Sequence, residues 1–180
     1  MPIPRLPRYV TTLLLFEPTL SGSAGLAQVR SSLRLDRSEY SASCIKGTGN
    51  TCSYAFTVVA TYENSTRDTL YLSRCYPSDP TPMYGVETID DTAGDAAYDP
   101  VWACVGHDFP IVIAPHAARV DTLRIEGPNS WDGKTNAPMG KFEGEFRLLY
   151  NVGSCRPGPT KCQLLPEWER SGTFRVHLVR

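Results

Sequence analysis

The chain of 180 residues has no apolar run near the roughly 18 residues that a membrane-spanning helix needs, and it has no cluster of basic residues. The first absence removes a helical membrane span. The second, with a formal net charge of −1, leaves no electrostatic footprint for nucleic acid or an anionic membrane surface. No Cys-x-x-Cys pair occurs, so the spacing of a structural zinc site is missing and no metal is expected. No Gly-x-Ser-x-Gly elbow occurs either, and only three histidines could supply a general base. No stretch sustains helical spacing between good caps, and 14 glycines with 15 prolines would interrupt long helices. These absences point away from an enzyme, from a cofactor and from a helical core.

What the chain does contain is six cysteines, Cys44, Cys52, Cys75, Cys104, Cys155 and Cys162, all downstream of a stretch ordered like an export signal. Arg5 and Arg8 precede a short apolar run from Tyr9 to Phe16, and Gly25 and Ala27 are small residues suited to a signal-peptidase cut. The expected organisation is a signal peptide over residues 1–27 and one domain over residues 28–180, secreted or periplasmic. An even cysteine set in such a compartment predicts disulfides. Sequence leaves the pairing open, and proximity suggests Cys44–Cys52 and Cys155–Cys162 across two loops, with Cys75–Cys104 tying two strands.

Period-two alternation recurs along the domain. Tyr54, Phe56, Val58, Ala60 and Tyr62 share one face, as do Phe142, Gly144, Phe146, Leu148 and Tyr150, and then Phe174, Val176 and Leu178. Shorter runs at residues 33–35, 70–72, 86–89, 101–104, 111–113 and 123–125 complete about nine candidate strands. Turn chemistry separates them, at residues 63–66, 77–82, 91–95, 127–129, 132–133 and 153–159. Many short strands with frequent turns predict an all-β, antiparallel sandwich of eight to nine strands, with two sheets packed to hide Tyr54, Phe56, Phe146 and Phe174.

Residues with catalytic or metal-binding chemistry form no complete set. Cys104-Val105-Gly106-His107 has the Cys-to-His spacing of a blue-copper loop, but no histidine precedes His107 and the next methionine is Met139. His107-Asp108 reads as a solvated loop, and His116 and His177 have no evident partner. Asp90, Asp91, Asp95 and Asp99 lack the alternating spacing of a calcium loop and fit an acidic turn, which leaves a calcium-dependent module as a lesser alternative. Asn64-Ser65-Thr66 is a formal glycosylation sequon at an expected tight turn. The better lead is aromatic. Trp131, Tyr76 and Tyr84, with Trp102, Trp168 and Tyr98, fall at expected strand ends or in loops, where such rings favour interfaces. Trp131 is expected on a long loop. The implied partner is a protein or a surface glycan.

Phe142-Glu143-Gly144-Glu145-Phe146-Arg147-Leu148 resembles the late strand of immunoglobulin-like domains, and Val112-Ile113-Ala114-Pro115 with Val120 and Leu123 resembles the turn and strand before it. Ala60-Thr61-Tyr62-Glu63-Asn64-Ser65-Thr66 followed by Leu70 resembles a hairpin of bacterial secreted immunoglobulin-like domains. The order over residues 53–150 is similar to that of the intracellular proteinase inhibitor family. This resemblance implies an immunoglobulin-like sandwich that binds rather than catalyses, with proteinase inhibition through a stapled loop, Cys155–Cys162, as the alternative. Six cysteines and an export signal depart from an intracellular inhibitor, so no reactive-site residue carries over.

Overall fold

The computed structural model describes residues 30–89, 98, 110–127, 130–132, 137–139, 142–154 and 163–179. Among them, strands β1 (Ser32–Leu35), β2 (Glu39–Lys46), β3 (Ser53–Glu63), β4 (Leu70–Leu72), β5 (Tyr84–Thr88), β6 (Ile111–Ile113) and β7 (Ala118–Gly127) come first. They are followed by β8 (Ser130–Asp132), β9 (Ala137–Met139), β10 (Gly144–Tyr150), β11 (Val152–Ser154), β12 (Gln163–Leu164) and β13 (Ser171–Val179). Among the described residues helix is confined to one 3-10 turn, Gly49–Thr51, and one short helix, α1 (Glu167–Arg170).

Strand β3 is the spine of a seven-stranded sheet, because its alternation runs unbroken over eleven residues. Along one edge it pairs antiparallel with β7, from Tyr54 opposite Gly127 to Glu63 opposite Ala118. Along the other edge it pairs with β1 near its C-terminal end and with β2 near its N-terminal end. Strand β2 then runs parallel to β13, which pairs antiparallel with β10, which pairs antiparallel with β5. The sheet doubles over at β2, as contacts between strands that share no hydrogen bonds show. Phe56 on β3 lies 5.8 Å from Phe174 on β13, and Tyr62 on β3 stacks on Tyr150 of β10 at 6.2 Å.

The inner faces carry the expected residues. Phe56, Val58, Ala60 and Tyr62 meet Phe146, Leu148, Tyr150, Phe174 and Val176 in one buried cluster, whereas Tyr54 is only partly buried. Each such aliphatic or aromatic side chain is worth about 1.5–3 kcal/mol of transfer free energy when fully buried. Tyr98 wedges edge-on between Phe56 at 5.1 Å and Phe146 at 5.3 Å, and its hydroxyl donates to the Phe142 carbonyl at 2.6 Å. A four-stranded sheet, in the order β12-β11-β4-β6, closes the core by burying Leu70, Leu72, Val152 and Ile113.

Several expectations are corrected. Strand β2 occupies residues expected to lie outside any strand, since Ser41, Ala42, Ser43 and Cys44 lack the bulk that marks a strand in sequence. Tyr98 and Tyr84, which the sequence leaves open between an interface role and plugging the ends of the sandwich, point inward; Tyr84 is 9% exposed, with its hydroxyl spent on the Arg124 carbonyl. Trp131 lies not on a long loop but in β8, opposite Pro138 of β9. Gly153 and Ser154, expected in a turn, belong to β11.

Cys44 and Cys52 form a disulfide with a Cα–Cα distance of 5.6 Å, joining β2 to the start of β3 across the 3-10 turn. The ring can close because Gly47 takes φ 94°, where a Cβ would meet the Thr51 carbonyl oxygen at 2.2 Å. Cys75 is also disulfide-bonded, to a partner outside the described residues. Cys104, Cys155 and Cys162 lie outside the described residues, and with them the two other suggested pairings.

Candidate binding surface

The small sheet has one face in the core and one toward solvent. Paired residues across antiparallel strands share a face, and the register Leu164–Gly153–Tyr71–Val112 therefore puts one residue of each strand in a row on the outer side, with Gly153 itself buried beneath its neighbours. Leu164 is 55% exposed and Val112 61% exposed, while Tyr71 is half-buried between them. No charged residue falls in this row. Gly153 is needed where it stands, because a Cβ there would meet the Gln163 carbonyl oxygen at 2.6 Å.

Strand β4 runs directly from this row into the loop of residues 74–82. The loop is closed at its base by the Met83 amide donating to the Ser73 carbonyl at 2.7 Å, and Ser73 and Met83 are each tied to Asn151. Pro77, Pro80 and Pro82 restrict its backbone. Inside the loop, the Asp79 amide donates to the Tyr76 carbonyl at 3.1 Å and the Thr81 amide to Asp79 Oδ1 at 2.8 Å. Arg74 Nη1 donates to the Asp79 carbonyl at 3.4 Å. Tyr76 stands in this frame with 47% of its surface exposed, so the expectation of an exposed ring is met here and not at Tyr84.

A buried polar cluster sits under the loop. Asp121 points inward from β7, where its Oδ2 accepts from the Tyr150 hydroxyl at 3.0 Å and from Arg119 Nε at 3.0 Å. Arg119 Nη2 reaches both the second carboxylate oxygen and the Pro80 carbonyl of the loop. Burial first, and then the adjacent Asp121 charge, push the Tyr150 phenol far above its usual range, so it stays a donor.

The remaining flagged residues carry no site. Asn64 is 1% exposed: its Nδ2 donates to the carbonyls of Asp68, Ile113 and Ala114 at 2.8, 3.2 and 3.0 Å, and its Oδ1 accepts from the Thr66 amide and hydroxyl. The sequon is thus a structural turn whose amide nitrogen is fully used. His177 lies on the outer face of β13, 3.7 Å from Glu39, and His116 occupies a turn at φ 58°. Trp168 on α1 is exposed and lies under the Arg30 guanidinium at 4.6 Å. The acidic residues Asp90, Asp91, Asp95 and Asp99, together with His107 and Trp102, lie outside the described residues, as does the Trp131 side chain. Among the described residues no group of His, Cys, Asp or Glu is placed to hold a metal ion, and no helix is long and apolar enough to cross a membrane.

The row and the loop supply apolar and aromatic side chains beside a backbone held by several hydrogen bonds. No protein-family model matches the chain, and no curated protein matches it.

Proposed function

We propose that this chain is an exported, non-catalytic, immunoglobulin-like β-sandwich that binds a protein partner through the outer row of the small sheet and the Tyr76 loop. The pairing pattern supports the fold reading. In immunoglobulin-like domains the first, second and fifth strands share one sheet and the third, sixth and seventh share the other. Here β1, β3 and β7 form one layer and β5, β10 and β13 the other, with β2 at the turnover between them. The oxidised Cys44 and Cys75 support export, since structural disulfides persist in oxidising compartments.

The observation that carries the binding reading is the charge-free row ending in two exposed aliphatics beside a rigid, exposed tyrosine. Aliphatic side chains gain by burial against apolar protein surface, whereas sugar hydroxyls would be desolvated there without compensation. A protein partner therefore fits better than a glycan. The test is capture from secreted and surface proteins of the host by the mature domain, repeated with Tyr71→Ser, Tyr76→Ala and Val112→Ser. A protein retained by the wild type and lost with the variants, at unchanged thermal stability, supports the surface. Undiminished capture by all three variants overturns it.

A second reading, proteinase inhibition, is favoured by one observation: the Cys44–Cys52 loop exposes Ile45 and Lys46 on a stapled, glycine-locked backbone. The Cys155–Cys162 loop first expected for it lies outside the described residues. A panel of secreted serine proteases separates the two, because plain digestion at Lys46 without inhibition removes this reading.

A further inference from the structure

We infer that Arg119 is a positioning residue: reaching out from a buried carboxylate, it fixes the orientation in which the loop of residues 74–82 presents Tyr76. This rests on the binding reading above, but the order it concerns can be measured with no partner present.

The inward half of the arrangement has a cost that stability alone does not justify. Taking a carboxylate out of water is expensive, and an ion pair made with a buried carboxylate is often no better than apolar residues of the same shape. Asp121 is 7% exposed and lies on the inner face of β7, where Leu123 and Ile125 follow it and Arg119 precedes it. What the ion pair supplies is geometry. Asp121 is held by the Tyr150 hydroxyl at 3.0 Å, and Tyr150 is itself locked by its stack on Tyr62. Asp121 then grips Arg119 through both carboxylate oxygens. A guanidinium is a rigid planar fork, so fixing Nε and Nη2 on the carboxylate aims the second N–H of Nη2. That N–H donates to the Pro80 carbonyl.

The receiving half matches. The loop organises its own backbone through Asp79, Thr81 and Arg74, which sets its shape but not its orientation to the body of the domain. Two ties set the orientation. The hydrogen bonds of Ser73 and Met83 to Asn151 hold the base of the loop, and the Arg119 contact at Pro80 holds its far side. Tyr76 stands between them. Holding an interface ring before contact removes the ordering cost that binding would otherwise meet.

Amide hydrogen exchange tests this on Arg119→Gln and Arg119→Lys. The lysine variant keeps a cation against Asp121 but loses the fork that spans carboxylate and carbonyl. In both variants the Asp79 and Thr81 amides should exchange about tenfold faster or more, the loss expected for one charge-assisted hydrogen bond. The Val58 and Phe146 amides should keep their wild-type rates. Unchanged loop amides, or loop and core amides accelerating by one common factor, would overturn the inference, since the latter is what a merely structural residue produces. If Arg119→Gln fails to fold, Arg119→Lys decides. Tyr76→Ala should abolish capture; if capture persists but the Arg119 variants still loosen the loop, the binding reading fails and the positioning role stands.

Discussion

Replacing Asn64 by aspartate exchanges one NH2 for one oxygen, nearly without change of shape, at a position with 1% exposure. In the native turn that NH2 serves three carbonyls, of Asp68, Ile113 and Ala114, at 2.8–3.2 Å, so it joins the end of β3 to the end of β6. Losing the NH2 donor alone leaves the buried Ile113 carbonyl without it, at about 1–3 kcal/mol, and breaks two part-buried bonds worth about 1 kcal/mol each. The expected loss is therefore roughly 3–5 kcal/mol. Asn64→Asp should cost at least as much at neutral pH, because it sets a charged oxygen against three carbonyl oxygens. The pH dependence has a definite sign. Burial and facing carbonyls raise the introduced carboxyl above the ordinary aspartate value of about 4. The folded state then binds the proton more tightly than the unfolded state, so the variant recovers stability relative to wild type as pH falls and loses it as pH rises. Urea unfolding followed by far-UV circular dichroism measures this as a midpoint shift of roughly 1.5 M at unchanged slope. A neutral-pH shift equivalent to less than about 1 kcal/mol for Asn64→Asp would refute the account of the turn. The same geometry predicts that folded protein from a glycosylating host carries no glycan at Asn64.

Opening the Cys44–Cys52 ring with a double serine replacement should lower stability by about 2–3 kcal/mol, the chain-entropy value for so short a loop, read from the urea midpoint. Gly47→Ala should cost about 1–3 kcal/mol in the same assay, because its φ is left-handed and the added Cβ has nowhere to go against Thr51. Tyr62 is pushed up to about 12, first by burial, and Tyr40, Tyr98 and Tyr150 are also pushed well up by burial. Each folded phenol holds its proton more tightly than the unfolded one. Their contribution is complete below pH 10 and lost as pH rises above it, so ultraviolet titration should show these rings ionising only with alkaline unfolding.

Period-two alternation made β3, β10 and β13 legible, and residues 70–72 and 111–113 match β4 and β6. Alternation fails where side chains are small. Ser41, Ala42, Ser43 and Cys44 give β2 no apolar rhythm, and its place is set by tertiary pairing with β13 and β3. Tyrosine is ambiguous for another reason: its ring suits a core and its hydroxyl suits a surface. Tyr84 and Tyr98 are inward because a backbone carbonyl waits for each hydroxyl, a partner invisible in sequence. Tyr76 was legible as an exposed ring, since prolines and a turn surround it. The outer row of the small sheet was not, because Leu164, Tyr71 and Val112 come from three distant segments and meet only through strand register. Asp121 was hidden likewise, as an acid in a strand whose inward parity shows only once β7 is seen to reach from residue 118 to 127.

The contrast between the two sheets argues for where function lies. The outward faces of the large sheet carry opposite charges, Arg34 with Glu63, Arg124 with Glu126, Arg175 with Glu145, and Arg147 reaching Glu167 on α1, and these stand beside the exposed Val120 and Val179. Exposed pairs of this kind add little stability each, but they keep a sheet surface from accepting apolar partners. On the small sheet the outward row carries none of them. It is also the row from which the chain passes into a loop bounded by a disulfide and gripped by a guanidinium anchored in the core. The proposed binding would cover a row that carries no charge, beside an exposed ring. Introducing Val112→Glu should therefore abolish capture while shifting stability by less than about 0.5 kcal/mol, as expected for a solvent-facing position; a large loss of stability would instead mean that this face is already part of the core.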